Sequence, residues 1–151
     1  MILDNENRLC NAQSFTSTDP TAAGSKSHVI NLGSDRNIGI GEPMAVVLSL
    51  PVAAEGAGAD NQTYSIAINT DTVEACDSPT LLGTITFAKL DAAGTKKVFV
   101  IPADTTMEQF LQLVVTVTGT IAGTGLTLDA ELVPLSFVQN DGVYPDNITI
   151  S

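Results

Sequence analysis

Residues 111–118, LQLVVTVT, alternate between large apolar side chains and side chains that are polar or smaller. Side chains two positions apart lie on the same face of a β-strand, so this alternation is typical of a strand with one buried face. The predicted inward face consists of Leu111, Leu113, Val115 and Val117. The predicted wetter face is marked by Gln112, Thr116 and Thr118.

A second alternating run follows at residues 126–132, LTLDAEL. Its predicted inward side chains are Leu126, Leu128, Ala130 and Leu132, and its outward ones are Thr127, Asp129 and Glu131. Pro134 then reverses the phase, because the next apolar side chains are those of Val133, Leu135 and Phe137. Proline lacks a backbone donor and is tolerated at strand edges and bulges. We therefore expect a bend at Pro134, where the strand could pass from one sheet to another.

Shorter apolar or alternating runs occur around residues 30–32, 44–50, 64–68, 84–88 and 97–101. Gly, Pro, Asp and Ala cluster between them, as turns require. The only helix signal is at residues 104–108, where Asp104 could cap a single turn. About seven or eight strands without a long helix predict an all-β fold, a jelly-roll-like antiparallel β-sandwich. We assign residues 28–151 to this sandwich.

Residues 1–27 do not fit the strand pattern and are predicted to form an extended N-terminal arm and linker. The alternative is a frayed terminus. Ile2, Leu3 and Leu9 favour an arm that docks on a neighbour. The first residues lack an apolar segment of signal-peptide length, and no window approaches the ~20 apolar residues of a membrane span. We therefore expect a soluble chain made in a cytoplasm.

The charge balance excludes several kinds of partner. The chain has 17 acidic and six basic residues, a formal net charge of −11. Such a surface repels nucleic acids and anionic lipids. Trp is absent and there are only five Phe and two Tyr, so stacking platforms for bases or sugars are scarce. We predict no nucleic-acid or membrane partner.

No motif for catalysis, cofactor binding or metal binding is recognisable. His28 is the only histidine, and Cys10 and Cys76 are predicted to be separate reduced thiols. Gly39-Ile40-Gly41 begins a dinucleotide fingerprint, but Met44 replaces the third glycine and a predicted strand follows instead of a helix. These glycines are predicted to form a turn, with a strand beginning after Pro43. The motifs of this sequence therefore predict no enzyme, cofactor or metal.

Four blocks of sequence occur in an order that resembles a known family. They are VINLGSDRNIGIGEPMAVVLSL, DSPTLLGTITF, GTKKVFVIPADTTMEQFLQLVVTVTGT and the final DGVYPDNITIS. The early LDNENRLCNAQSFT also resembles the start of the same proteins. The family is that of the capsid cement proteins of tailed phages typified by the Bordetella phage cement protein, the Bbp16-type family. The resemblance extends over nearly the whole chain, and the AEGAGAD loop and the two cysteines depart from it.

The resemblance implies a jelly-roll decoration protein that binds the outer surface of an assembled head and bridges neighbouring major capsid subunits. It also implies self-association, as a dimer in preference to a trimer, production in the host bacterial cytoplasm and no catalysis. The candidates for capsid contact are Ile2, Leu3, Arg8, Leu9 and Arg36. Arg36 could instead pair with Asp35 or Glu42. The alternative function is a non-catalytic receptor- or carbohydrate-binding β-sandwich of a virion.

Overall fold

The alternating runs of the sequence form strands in two four-stranded antiparallel sheets, as the sandwich prediction requires. The structure, a computed structural model, describes residues 7–33, 36–37, 43–55, 62–102, 105–119 and 125–138. Within them the strands are β1 (Arg8–Phe15), β2 (Ile30–Asn31), β3 (Arg36–Asn37), β4 (Met44–Ser49), β5 (Thr63–Asp71), β6 (Thr80–Ala88), β7 (Lys96–Ile101), β8 (Thr106–Met107), β9 (Phe110–Thr118) and β10 (Leu126–Pro134). A 3₁₀ turn spans Ala23–Ser25, and a helical turn spans residues 135–138.

The first sheet has the strand order β1-β10-β4-β7, and the second has the order β2-β9-β5-β6. A separate ribbon pairs β3 with β8. The core lies between the two sheets. The predicted inward faces of β9 and β10 are confirmed, because Leu111, Leu113 and Val115 of β9 and Leu126 and Leu128 of β10 are fully buried. Apolar burial between two sheets is the main stabilising contribution in such a fold.

The predicted arm is not separate from the sandwich. β1 pairs with β10 along the edge of the first sheet, and Leu9 and Phe15 are both fully buried in the core. Farther along, Lys26 bridges to Val114 and the Ser27 amide donates to the Leu113 carbonyl oxygen at 3.0 Å. The division at residue 27 is therefore wrong for the described residues, because these segments supply backbone pairing and core side chains.

The irregularity of β1 explains why its sequence does not alternate. The register with β10 shifts between Arg8 and Cys10, and again between Cys10 and Gln13. Ala12 has a positive φ of 46°, and its amide donates to Asp129 Oδ1 at 2.5 Å. A bulge inserts an unpaired residue and changes which face the following side chains occupy. The period-two signal is lost, although the segment is a strand.

Three local predictions have different outcomes. β4 begins at Met44 directly after Pro43, as expected, whereas the Gly39-Ile40-Gly41 turn lies outside the described residues. The helical turn predicted at 104–108 is wrong in its described part, because Thr106–Met107 form β8. The chain does bend at Pro134, but it enters a helical turn there and does not continue as a strand of the other sheet.

Two side chains of β7 close the side of the sandwich between β6 and β7. The Phe99 ring lies against Gly83 of β6, where a Cβ atom would approach ring atom Cζ to 2.6 Å. The Lys97 ammonium lies 4.7 Å from the centre of the Phe87 ring and donates to the Thr86 carbonyl oxygen. Gly83 is therefore required by packing, because a larger residue would collide with Phe99.

Candidate interaction surface

The five predicted contact residues include some that the structure describes and some that it does not. Ile2 and Leu3 lie outside the described residues. Arg8 is half-buried on β1, at the edge of the first sheet. Arg36 belongs to β3 and pairs across the ribbon with Met107, and its side chain is outside the described part. The structure therefore brings Arg8 alone to a described surface.

Leu9 was wrongly predicted as a contact residue. Its side chain is fully buried and belongs to the same core cluster as Leu111 and Leu126. A side chain that is buried between the two sheets cannot contact a partner unless β1 unfolds. The physical reason for the error is the irregular register of β1, which places two successive residues, Leu9 and Cys10, in buried positions.

Two shallow grooves flank β1, and both are lined by Arg8 and Cys10. One has a volume of about 360 Å³ and also contacts Asn11, Gln13 and His28. The other has a volume of about 250 Å³, and its polar lining includes Ser49, Lys96, Asp129 and Glu131. We call the side chains of Arg8, Asn11, Gln13, His28, Lys96, Asp129 and Glu131 the β1 surface. It joins basic and acidic groups, so it suits polar contacts with another protein.

Cys10 and His28 line the same groove, an arrangement that can activate a thiol nucleophile. The environment of Cys10 has the opposite effect. Burial, with a further contribution from the Asp129 carboxylate, raises the pKa of the Cys10 thiol to about 12. A reactive cysteine needs a pKa at or below its usual range, because the thiolate is the nucleophile. The Cys10 thiol therefore stays protonated near neutral pH. Cys76 is likewise buried, and both cysteines are free, as predicted.

Asp71 organises the loop at one end of the sandwich. Its carboxylate accepts hydrogen bonds from the amides of Val73 and Ser78, each at 3.1 Å, and from the Thr72 hydroxyl at 3.4 Å. Burial opposes ionisation of Asp71, but the hydrogen bonds from Val73, Ser78 and Thr72 outweigh it and lower its pKa. No group of three or more His, Cys, Asp or Glu side chains that could hold a metal occurs among the described residues. Asp71 thus has a structural role.

The opposite end of the sandwich was not singled out by sequence reasoning. Two loops meet there and expose Val52 and Leu90. The unusual feature is a leucine at the third position of the turn Ala88–Asp91, where glycine or asparagine is usual when φ is positive. The sequence alone does not show it, because the turn type must be known first.

These features define an antiparallel β-sandwich protein whose buried thiols are not activated and whose described surface has polar grooves beside β1 and exposed apolar side chains at Val52 and Leu90. The chain belongs to the Bbp16 family, whose model matches residues 9–130. The match begins within β1 and ends within β10, so it includes strands of both sheets. A search of curated proteins gave no match. Among the described residues, no helix is long and apolar enough to cross a membrane.

Proposed function

We propose that this chain is a capsid cement protein, a non-catalytic structural protein that binds the outer surface of an assembled phage head and bridges neighbouring major capsid subunits. Membership of the Bbp16 family over residues 9–130 is the observation that carries the proposal. The partners in this proposal are the major capsid protein and a second copy of the chain, in a dimer. Its location is the outside of the virion.

The fold suits a component that stiffens a lattice. Its core brings together side chains from both sheets, so the sheets cannot slide apart without exposing apolar surface. A protein that binds only the assembled lattice stabilises it by mass action. At a free concentration of 100 times Kd, each occupied site contributes about 2.7 kcal/mol. A dimer bound to two capsid subunits gains further through effective concentration.

The β1 surface is the described region closest in sequence to the first residues, which include Ile2 and Leu3. A contact made by those residues would continue directly into Arg8 and the two grooves beside β1. The net charge of −11 also suits a protein that faces solvent, because copies on one lattice avoid unspecific association with one another and with DNA. The acidic body therefore makes contact through selected surfaces.

A sugar-binding function finds less support in the described residues. Sugar-binding modules use exposed aromatic rings as stacking platforms. Phe15, Tyr64 and Phe87 are fully buried and Phe110 is nearly so, whereas Phe137 is 41% exposed. This one exposed ring among the described residues, which lies within the helical turn 135–138, does not form a platform. The protonated Cys10 thiol likewise gives no support to covalent catalysis.

The direct test uses heads assembled from the major capsid protein of the same phage and lacking this chain. Purified protein should co-sediment with expanded heads to saturation and should raise their temperature of disruption. Light scattering should show a dimer in solution. Failure to co-sediment with these heads at micromolar concentration would overturn the proposed function.

Deletion of residues 1–6 tests whether Ile2 and Leu3 belong to the contact. The deletion stops short of β1, so the free energy of unfolding should stay unchanged while head binding weakens about tenfold or more. A second variant replaces both Ile2 and Leu3 with serine in the full-length chain, and it should weaken head binding to a similar extent. Unchanged binding in both variants would show that the first residues make no lattice contact.

A further inference from the structure

Two loops form a rigid platform at one end of the sandwich. We call residues 50–54 and 88–95 the tip platform. Four backbone hydrogen bonds join its two loops: Leu50 N to Thr95 O at 3.0 Å, Ala54 N to Asp91 O at 2.9 Å, Leu90 N to Ala54 O at 2.9 Å and Gly94 N to Leu50 O at 2.7 Å. Because the bonds connect the loops to each other, the shape of the platform is fixed by the backbone.

Leu90 is held in an unfavourable conformation on this platform. The Asp91 amide donates to the Ala88 carbonyl oxygen at 3.2 Å, which closes a four-residue turn. Leu90 is the third residue of that turn and has a φ of +65°. Glycine or asparagine is favoured there, because the Cβ of other residues is strained in the left-handed region. Strained residues concentrate at functional sites.

The strain does not serve the core, because the Leu90 side chain is 70% exposed. It is the most exposed large apolar side chain among the described residues. Val52, on the other loop, is 48% exposed, and the smaller side chains of Pro51, Ala53, Ala92 and Ala93 are also exposed. The tip platform therefore holds a leucine and a valine in water at a conformational cost.

The tip platform has two charged residues, Lys89 and Asp91, which have opposite signs, and Asp91 is engaged within the fold. Asp91 Oδ2 accepts a hydrogen bond from the Ala88 amide at 2.8 Å, and it lies 4.0 Å from the Lys97 ammonium. The exposed apolar side chains thus form a surface of little net charge on a chain whose net charge is −11. Such a surface can approach another protein with little repulsion and gains from apolar burial.

We propose that Leu90 and Val52 are the anchor by which this chain inserts into an uncharged apolar groove of the lattice-forming capsid subunit. The inference rests on the proposed function and names the surface that performs it. A second copy is the less suitable occupant. A stable dimer buries about 20–30 residues on each side, and the platform exposes only seven small or medium apolar residues. A small anchor suffices on a lattice, where many contacts act together.

The test compares Leu90→Asn, Val52→Asn and Val73→Asn in the full-length chain, with heads that lack this protein. Asparagine accepts positive φ, so Leu90→Asn should raise the melting temperature, by about 2–4 °C. It should nevertheless weaken head binding about tenfold or more. Val52→Asn should also weaken binding. Val73 is the matched control, because it is 55% exposed in the loop at the opposite end, and Val73→Asn should bind within about twofold of wild type.

The combination of higher stability and weaker binding distinguishes an anchor from a structural residue, whose replacement lowers both. Wild-type-like head binding by both tip variants would overturn the inference and leave the proposed function intact. Loss of the dimer by light scattering, with unchanged head binding per subunit, would also overturn it, because the occupant would then be a second copy. Absence of head binding by the wild-type protein would overturn both proposals.

Discussion

Replacement of Leu9 by alanine tests the position of β1 in the fold. Leu9 is fully buried and packs within the core cluster that both sheets share. Truncating a buried leucine removes its transfer free energy and leaves a cavity, and the two effects together cost about 2–5 kcal/mol. The total free energy of unfolding of such a domain is only about 5–15 kcal/mol. The expected fall in melting temperature is roughly 4–20 °C.

The assay is urea unfolding followed by circular dichroism. The midpoint should fall while the slope stays constant, because the variant exposes the same surface when it unfolds. Arg8→Ala is the matched control, since Arg8 is the preceding residue but is half-buried, and its effect should stay within about 0.5 kcal/mol. A Leu9→Ala variant as stable as the Arg8→Ala variant would refute the placement of Leu9 in the core and return it to the predicted arm.

Three further predictions concern other parts of the sandwich. Gly83→Ala should lower the free energy of unfolding by about 1–3 kcal/mol, because the new methyl group collides with Phe99. In a double-mutant cycle, Phe99→Leu should recover part of this loss when it is combined with Gly83→Ala. Additive effects of the two substitutions in urea unfolding would contradict the packing of Phe99 against Gly83. The lowered pKa of Asp71 means that its contribution to stability is complete above the ordinary aspartate pKa of about 3.9 and is lost as pH falls through the folded-state value. The urea midpoint of Asp71→Asn should therefore fall less between pH 5 and pH 2 than that of the wild-type protein, when both are measured in steps of about one pH unit. A profile identical to that of the wild-type protein would contradict this role of Asp71. Cys10 and Cys76 should react slowly with a thiol reagent at pH 8 in the native protein and readily in denaturant, whereas fast native labelling would show that the thiols are accessible.

The sequence predicted the parts of the fold in which one strand face is continuously apolar. β9 and β10 each cross the core without a bulge in their inward pattern, so alternation alone identified Leu113 and Leu128 as core residues. The outward side was predicted less well. Gln112 is buried, because it lies beside the segment that precedes β2, and its side-chain amide donates to the Ser27 carbonyl oxygen at 3.3 Å. Pattern reasoning cannot foresee which outward residues a distant segment will cover.

The candidate site was predicted less well than the fold, for physical reasons that differ from residue to residue. Leu9 was misplaced because bulges remove the period of β1. Leu90 was missed as a candidate contact residue because the sequence does not show that this leucine has a positive φ. Arg8 is half-buried on β1, and its role as a contact residue stays a prediction. Contacts between chains depend on the partner, which a single sequence does not contain.

The pairing of β1 with β10 also has a consequence for how the chain acquires its structure during synthesis. Arg8 lies opposite Glu131, so the first strand of the sheet cannot find its partner until roughly 120 residues more have been made. At about 5–20 residues per second, the ribosome leaves β1 unpaired for roughly 6–25 s. Closing so long a loop is slow, and fully β proteins fold in milliseconds to seconds. The polar side chains of Arg8, Asn11 and Gln13, which interrupt the apolar pattern of this segment, make the waiting strand a poor template for pairing with other chains.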